Sequence, residues 1–524
     1  MNTKRIALNL IFVMVVVFSV CTGCTTPATI TEQSAASPTE NAGAAVTEVS
    51  PAATEVAAAP AHADEINVGI VSDLTSMDRS MHNNYVTLTA NKMIYDALYW
   101  DNWDGTFSPH IATEMVSNAD ATEWTVTIRD DVQFANGDPL TADDVAWTIN
   151  LYKASSYMST SMGGITTAEV VDATHVLVKC DKPYAAAPAA LGVVRVMNQK
   201  VYEASGADII GTNPPEGIGS GPYIFVEWVP GQSITFKRNE NYSFPEKAAG
   251  ISNVKLIPIT DRSAAAIALE TGEIDSYLSI ATTDVEALEA TDNIAVKMVP
   301  SLNTYFLALN VDETPILQDI RVRQAIGYAI NKEDVIKGVF DGYGTTSETI
   351  MHDSLVGYDK TFKASGYDPE KAKALLAEAG HSNDVHIRID GIDDTIYNAF
   401  AVVLQAQLAE VGITADVVTT ERSGFYANVQ APRKYETMEC RLTALVRDAD
   451  FPLTFLTMPI AADGNRGWVV YNDPEYWKMV EDARGELDPA KRTAMYGEIF
   501  KYLDDNALIF GVAHDYSIIG FDKN

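Results

Sequence analysis

Trp124, Val126 and Ile128 alternate with Thr125, Thr127 and Arg129. This is the period-two pattern of a strand with one buried face. The turn residues Asn136-Gly137-Asp138-Pro139 follow, and they end the strand pattern. Thr141 then stands three residues before Asp144, the spacing of a capping box. Val145, Thr148, Ile149 and Tyr152 continue it as the apolar stripe of a helix. Asp368-Pro369 predicts a second helix start, with a stripe at Ala372, Leu375, Leu376 and Ala379 and a stop at Gly380. Ile396, Phe400, Val403 and Leu404 predict a longer helix, stopped at Gly412 and leading into an alternating strand from Ile413 to Thr419. Strands and helices interleave in this way from INVGIV, which starts at Ile66. The expectation is a mixed α/β fold, with no repeat of fixed period.

The beginning of the chain follows another pattern. Lys4 and Arg5 precede an apolar run over residues 6–20. That is short for a membrane-spanning helix, which needs about 20 apolar residues, and it fits a secretory signal. The run ends in Cys21-Thr22-Gly23-Cys24. Small Thr22 and Gly23 before Cys24 resemble the bacterial lipobox, although Cys21 stands where Leu is usual. The expectation is a signal over 1–23, cleaved before a lipidated Cys24. Residues 24–63 are rich in Ala, Thr, Pro, Ser and Glu and hold no aromatic residue. Such a segment cannot bury enough to fold, and it is expected to be a disordered stalk behind the anchor. Besides the lipidated Cys24, cleavage leaves Cys180 and Cys440, too few for a disulfide framework, and both are expected to be buried small hydrophobes.

The formal net charge of −34 changes the picture in one respect. It opposes nucleic-acid phosphates and anionic head groups, so a nucleic-acid partner is excluded. A hydrophobic content of 47 % over 524 residues supplies a sizeable core.

Four stretches together resemble one family. They are EWTVTIRDDVQFANGDPLTADDVAW at 123–147, GIGSGPYIFVEW at 217–228, RVRQAIGYAINK at 321–332, and YDPEKAKALLAEAG at 367–380, the last followed by QAQLAEVGI at 405–413. In this order they are similar to the family 5 extracellular solute-binding proteins, which serve dipeptide, oligopeptide and nickel importers. Each stretch is a scaffold element. Gly217, Gly219 and Gly221 precede a strand, where a dinucleotide-binding loop needs a helix to receive the pyrophosphate; they read as a turn entering that strand. The resemblance implies a two-lobed periplasmic-binding-protein-like α/β fold of type II, cluster C, with an extra subdomain in the first lobe. Mapped onto this chain, lobe 1 takes 64–107, 215–300 and 481–524, the subdomain 108–214, and lobe 2 301–480. It also implies a monomer held outside the cytoplasm that closes on a solute. The solute then passes to the permease and ATPase subunits of an importer.

In peptide-binding members, an Asp in a short stretch after a strand receives the peptide ammonium. VRDADFPLTF at 446–455 places Asp450 there, with Phe451 in the aromatic position. A carboxylate suits that ammonium because a charge-assisted hydrogen bond is about twice as strong as a neutral one. Arg447 stands where family peptide binders often carry Trp, and Pro452 comes earlier than in the pattern. Arg447 suits a ligand carboxylate or the neutralisation of Asp448 or Asp450. Tyr305, Trp468, Trp103 and Trp100 are further candidates for the cleft, as aromatic faces bind solutes with little specificity. Asn303 and Tyr305 are expected where the chain crosses between lobes. His381 and His386 lie across a helix stop, a poor arrangement for metal ligands, so neither metal nor cofactor is expected. HExxH, GxSxG and P-loop patterns are absent, so the expectation is a binding protein and not an enzyme. A receptor for a sugar, an opine or a metal chelate, and a surface sensor or adhesin on the same fold, stand as alternatives.

Overall fold

A computed structural model describes residues 64–82, 84–102, 106–429, 433–457, 467–469, 471 and 473–523. The expected signal, the stalk, Cys24 and Trp103 lie outside the described residues. No helix among the described residues is long and apolar enough to cross a membrane.

The local expectations meet the structure closely. The strand Glu123–Ile128 buries Trp124, Val126 and Ile128. The helix Ala142–Ala154 begins at Thr141 with both hydrogen bonds of the capping box, and it buries Val145, Thr148, Ile149 and Tyr152. Asp368 caps Pro369–Glu378, and Gly380 takes a φ of 90° just beyond that helix. Thr395–Glu410 leads through Gly412, φ 89°, into the strand Ile413–Thr420. The glycine turn enters the strand Tyr223–Val229. A Cβ on Gly219 would lie 1.9 Å from the Ile94 carbonyl oxygen, so close backbone packing, with no phosphate, accounts for the glycine. One expectation needs correction: Cys440 is buried, but Cys180 is only half-buried, at the end of its strand.

Twelve strands form one sheet that runs through both lobes. Ile509–Asp522 is its shared member. The first part of this strand lies antiparallel to Asn303–Leu309. Its later part lies antiparallel to Ile294–Pro300 and to Ser276–Tyr277. Beyond Asn303–Leu309 the sheet continues through Thr437–Thr443, Val385–Ile392 and Ile413–Thr420. On the other side it continues through Glu65–Ile70, Asn253–Pro258, Ser233–Arg238 and Tyr223–Val229.

The buried side chains form separate cores on the two sides of the Ser301–Leu302 break. The largest core gathers residues from Tyr305 to Leu456, helix residues Tyr476 to Leu503, and the start of the shared strand. A second core runs from Ile70 to Leu256. It includes side chains of a four-stranded antiparallel sheet, Ala112–Ser117, Glu123–Ile128, His175–Cys180 and Ile165–Asp172, within the stretch 108–214. A smaller core joins Ala265 to Ile294 with Ile518. Within 481–524, expected with lobe 1, the helix Pro489–Asp505 packs in the largest core, and Ile518 packs in the smallest. Ala189, Phe107 and Val193, from the first part of the chain, rest against the largest core and bring the two halves together.

Candidate functional site

Strand Thr437–Thr443 leaves the sheet and passes through residues 444–449 into the helix Asp450–Thr457. The segment carries two aspartates, and both are buried: Asp448 is 2 % exposed and Asp450 1 %. Burial of a carboxylate is costly unless it is paired, and each aspartate meets an arginine from a later helix. Arg492 grips Asp448 with two hydrogen bonds, of 2.7 Å to Oδ2 and 2.5 Å to Oδ1. Arg492 also donates to the Tyr496 hydroxyl at 3.0 Å and the Ala483 carbonyl at 3.3 Å. Asp448 Oδ1 further accepts the backbone N–H of Asp450 at 2.9 Å. This is a complete, fork-shaped ion pair.

Asp450 is held differently. Arg484 Nε lies 2.7 Å from its Oδ1, yet the N–H does not point along a hydrogen bond, and both buried atoms lack any hydrogen-bond partner. Burial pushes the Asp450 carboxyl up to about 6; Arg484 opposes that rise and the nearby Asp448 adds to it. A buried carboxylate with a raised pKa and unused acceptor capacity has the character of a functional group more than of a structural one.

Residues of the stretch 108–214 pack beside Arg484. The Arg484 guanidinium lies 5.1 Å from the centre of the Tyr184 ring. Trp124 Nε1 donates to the Tyr184 carbonyl at 3.2 Å and so fixes the segment that carries the ring. Ala185 N–H donates to the Arg484 carbonyl at 2.6 Å, and Lys182 meets Glu481 at 2.5 Å.

Arg447 crosses between the halves as well. Its Nη1 donates at 3.1 Å to the carbonyl of Asn102, at the end of the hairpin strand Tyr99–Asp101. The neutralisation of Asp448 and Asp450 falls to Arg492 and Arg484. Neither arginine was legible as a partner in the sequence: both sit on helices Pro474–Gly485 and Pro489–Asp505, far along the chain, and only the fold returns them. Tyr184 carried no signal either.

The other candidates are dispersed. Trp468 is half-buried, with its ring 4.9 Å from Phe455 and 5.4 Å from Tyr426. Phe455 stacks at 5.6 Å on Phe451, which follows Asp450, so an aromatic ladder joins Trp468 to the site helix. Tyr305 is fully buried in the largest core against Phe340, Tyr397 and Phe400, and its hydroxyl donates to Asp515 at 3.3 Å. Its neighbours are not those of Asp450. Trp100 is on the surface beside Lys247, whose Nζ lies 4.0 Å from the ring centre. His381 and His386 pair with Asp384 and Asp416. Among the described residues, no group of three or more His, Cys, Asp or Glu is placed to hold a metal ion.

Comparison with known proteins agrees with this architecture. Residues 106–466 match the family model described as bacterial extracellular solute-binding proteins, family 5 middle. The nickel-binding periplasmic protein of Escherichia coli strain K12 is 26 % identical over 456 residues, covering 81 % of this chain and 84 % of that protein. Di/tripeptide-binding protein 1 of Pseudomonas aeruginosa strain UCBPP-PA14 is 31 % identical over 302 residues, 57 % of this chain and 56 % of that protein. Among solved structures, the ABC transporter substrate-binding protein CtaP of Listeria monocytogenes superposes with a TM-score of 0.77 at 22 % identity, over 87 % of this chain and 94 % of its own.

Proposed function

The chain belongs to family 5 of the bacterial extracellular solute-binding proteins, and from that we propose that it captures a short peptide by its α-ammonium at Asp450 for an ATP-driven importer. The observation that carries the reading is Asp450 itself. It is a buried carboxylate at the entry of a helix, held by one poorly aligned cation, with residues of the stretch 108–214 packed beside that cation. An ammonium supplies three N–H donors that can align where the Arg484 Nε–H does not. A di/tripeptide-binding protein among the relatives supports the choice of solute. Arg447, which donates to the Asn102 carbonyl, is the residue we assign to a carboxylate of the same peptide. The aromatic ladder that ends at Trp468 is assigned to one side of the peptide, and Trp103 to a lesser contact.

The test is binding of tripeptides with free and with acetylated N-termini. The parent protein should melt higher with the free-amine peptides, since a ligand at 100 times its dissociation constant adds about 2.7 kcal/mol. Acetylated peptides should raise the melting point far less. Asp450→Ala should lose about 1.5–3 kcal/mol of binding to the free-amine peptides. Equal binding by that variant and the parent would remove Asp450 from the site.

The reading extends to the start of the chain. Cleavage before Cys24 and lipidation of that thiol would tether the binding body outside the cytoplasm through the stalk of residues 24–63, as a monomer. Metabolic labelling with a radioactive fatty acid should mark the parent and leave Cys24→Ser unlabelled. Label retained by Cys24→Ser would refute the anchor.

A further inference from the structure

The two ion pairs of the site differ in kind, although their aspartates are two residues apart. Asp448 and Arg492 satisfy each other and their surroundings through aligned hydrogen bonds. Asp450 Oδ1 and Arg484 Nε face each other at 2.7 Å, both buried, in an ion pair whose N–H is poorly aligned with the acceptor. Such a contact keeps the Coulomb attraction and forgoes the directional part of a charge-assisted bond. An incoming cation that restores that part competes well, and the exchange leaves the net charge around Asp450 unchanged, which avoids the cost of an uncompensated buried ion. Arg484 has a way to leave. Its side chain is 15 % exposed, and the Tyr184 face beside it is a surface on which a guanidinium rests favourably. Its own carbonyl is held by Ala185 N–H from the first lobe. Movement of Arg484 is thereby coupled to the contact between the halves.

We propose that Arg484 is the exchangeable counter-ion of Asp450, holding the carboxylate until the ammonium of a solute takes its place. The inference rests on the assignment of Asp450 to that ammonium. Arg484 then sets specificity: a solute without a cationic amine cannot displace it, and Asp450 stays closed to it. Arg492 takes no part, because its hydrogen bonds are complete.

The experiment is calorimetric titration of the full chain with an equimolar tripeptide pool and with the same pool acetylated at its N-termini. The proteins are the parent, Arg484→Met and Asp450→Asn. Arg484→Met should separate the two pools about tenfold less well than the parent, the size of one ion pair that no longer has to be displaced. Its affinity for the acetylated pool should rise, because no cation then closes Asp450 to it. Without Arg484 the buried carboxyl of Asp450 is protonated before the ammonium arrives. Binding at pH 7.5 should therefore release a proton, seen as a heat that varies with the ionisation enthalpy of the buffer, and the parent should release far less. Unchanged discrimination and unchanged proton release in Arg484→Met, with Asp450→Asn still deficient, overturn this inference alone. Parent binding to neither pool, or parent-like binding by Asp450→Asn, overturns the site assignment and the inference together. If Arg484→Met does not fold, a crystal structure of the parent with the bound tripeptide decides. Separation of Arg484 Nε from Asp450 beyond the salt-bridge limit of about 4 Å supports the exchange, and retention of the contact refutes it.

Discussion

Arg492 holds both carboxylate oxygens of Asp448, at 2.7 and 2.5 Å, inside the joint between the site segment and the helix Pro489–Asp505. This pair ties the loop that carries Asp450 to the largest core. Removal of one partner leaves the other charge buried and unpaired, which typically costs about 3–5 kcal/mol. Asp448→Ala should therefore lower unfolding stability by that amount in urea titration. The double replacement Asp448→Ala with Arg492→Met should cost less than the sum of the two single changes. Additive single costs would show that the two side chains act independently.

With Asp450 as the proposed ammonium site, peptide binding should depend on pH. Its carboxyl is pushed up to about 6, first by burial, and only the ionised form attracts an ammonium. Affinity should be level above that value and fall as pH drops through it, by about tenfold between pH 7.5 and pH 5, one proton being bound per lost ligand. Asp450→Asn should bind weakly at every pH and flatten the profile. A parent profile that is flat from pH 7.5 to 5 would contradict this account.

Periodicity made the scaffold legible. The capping box at Thr141 and Asp144, the helix start at Asp368 and the glycine stops at Gly380 and Gly412 are local devices, written within a few residues of where they act. Asp450 was legible because a family stretch surrounds it. Its surroundings were not. Arg484, Arg492 and Tyr184 approach from distant elements, and pairing between distant side chains has no sequence period. Tyr305 shows the converse. An aromatic residue near the expected crossing was a reasonable cleft candidate, but its position on a central strand gives it Phe340, Tyr397 and Phe400 as neighbours and a hydroxyl bonded to Asp515. One-residue steps along a strand decide which face a side chain meets, and only the strand pairing fixes that step.

Glu439 lies fully buried in the strand Thr437–Thr443, and neither of its oxygens has a hydrogen-bond partner. It faces Gly391 on the neighbouring strand, where a Cβ would come within 2.0 Å of Oε1. Burial first, and then the charge of Asp394, raise its pKa well above the ordinary glutamate value. The folded protein thus holds a proton there that the unfolded chain releases. The sign follows: stability is greatest below the unfolded pKa and falls as pH rises toward the folded one. Glu439→Met removes this dependence and a buried polar group without partners. It should raise stability, by about 1–3 kcal/mol at pH 8 and by less at pH 5. Thermal unfolding at the two pH values checks it, and a loss of stability at pH 8 would contradict it.

Asp515 fastens the place where the chain passes between the halves. Pairing of the shared strand shifts there from Ile294–Pro300 to Asn303–Leu309, with Ser301 and Leu302 between them. Its carboxylate accepts from Asn303 Nδ2 at 2.9 and 3.2 Å, from the Tyr305 hydroxyl at 3.3 Å and from the Ser301 hydroxyl. Its own carbonyl accepts the Ser301 N–H at 3.2 Å. Closure on a solute needs rotation about such a crossing, and hinges are a few strand-end residues that absorb the change. A carboxylate shared by Ser301 in the break and by Asn303 and Tyr305 beyond it restricts that rotation. Asp515→Ala releases all three side-chain donors but leaves the strand pairing, so the fold should survive with a loss of about 1–3 kcal/mol. Both association and dissociation of the proposed peptide should become faster, because rotation about the crossing is then less restricted. Stopped-flow displacement of a fluorescent tripeptide measures both rates. Unchanged dissociation in Asp515→Ala would show that the crossing is held by backbone pairing alone.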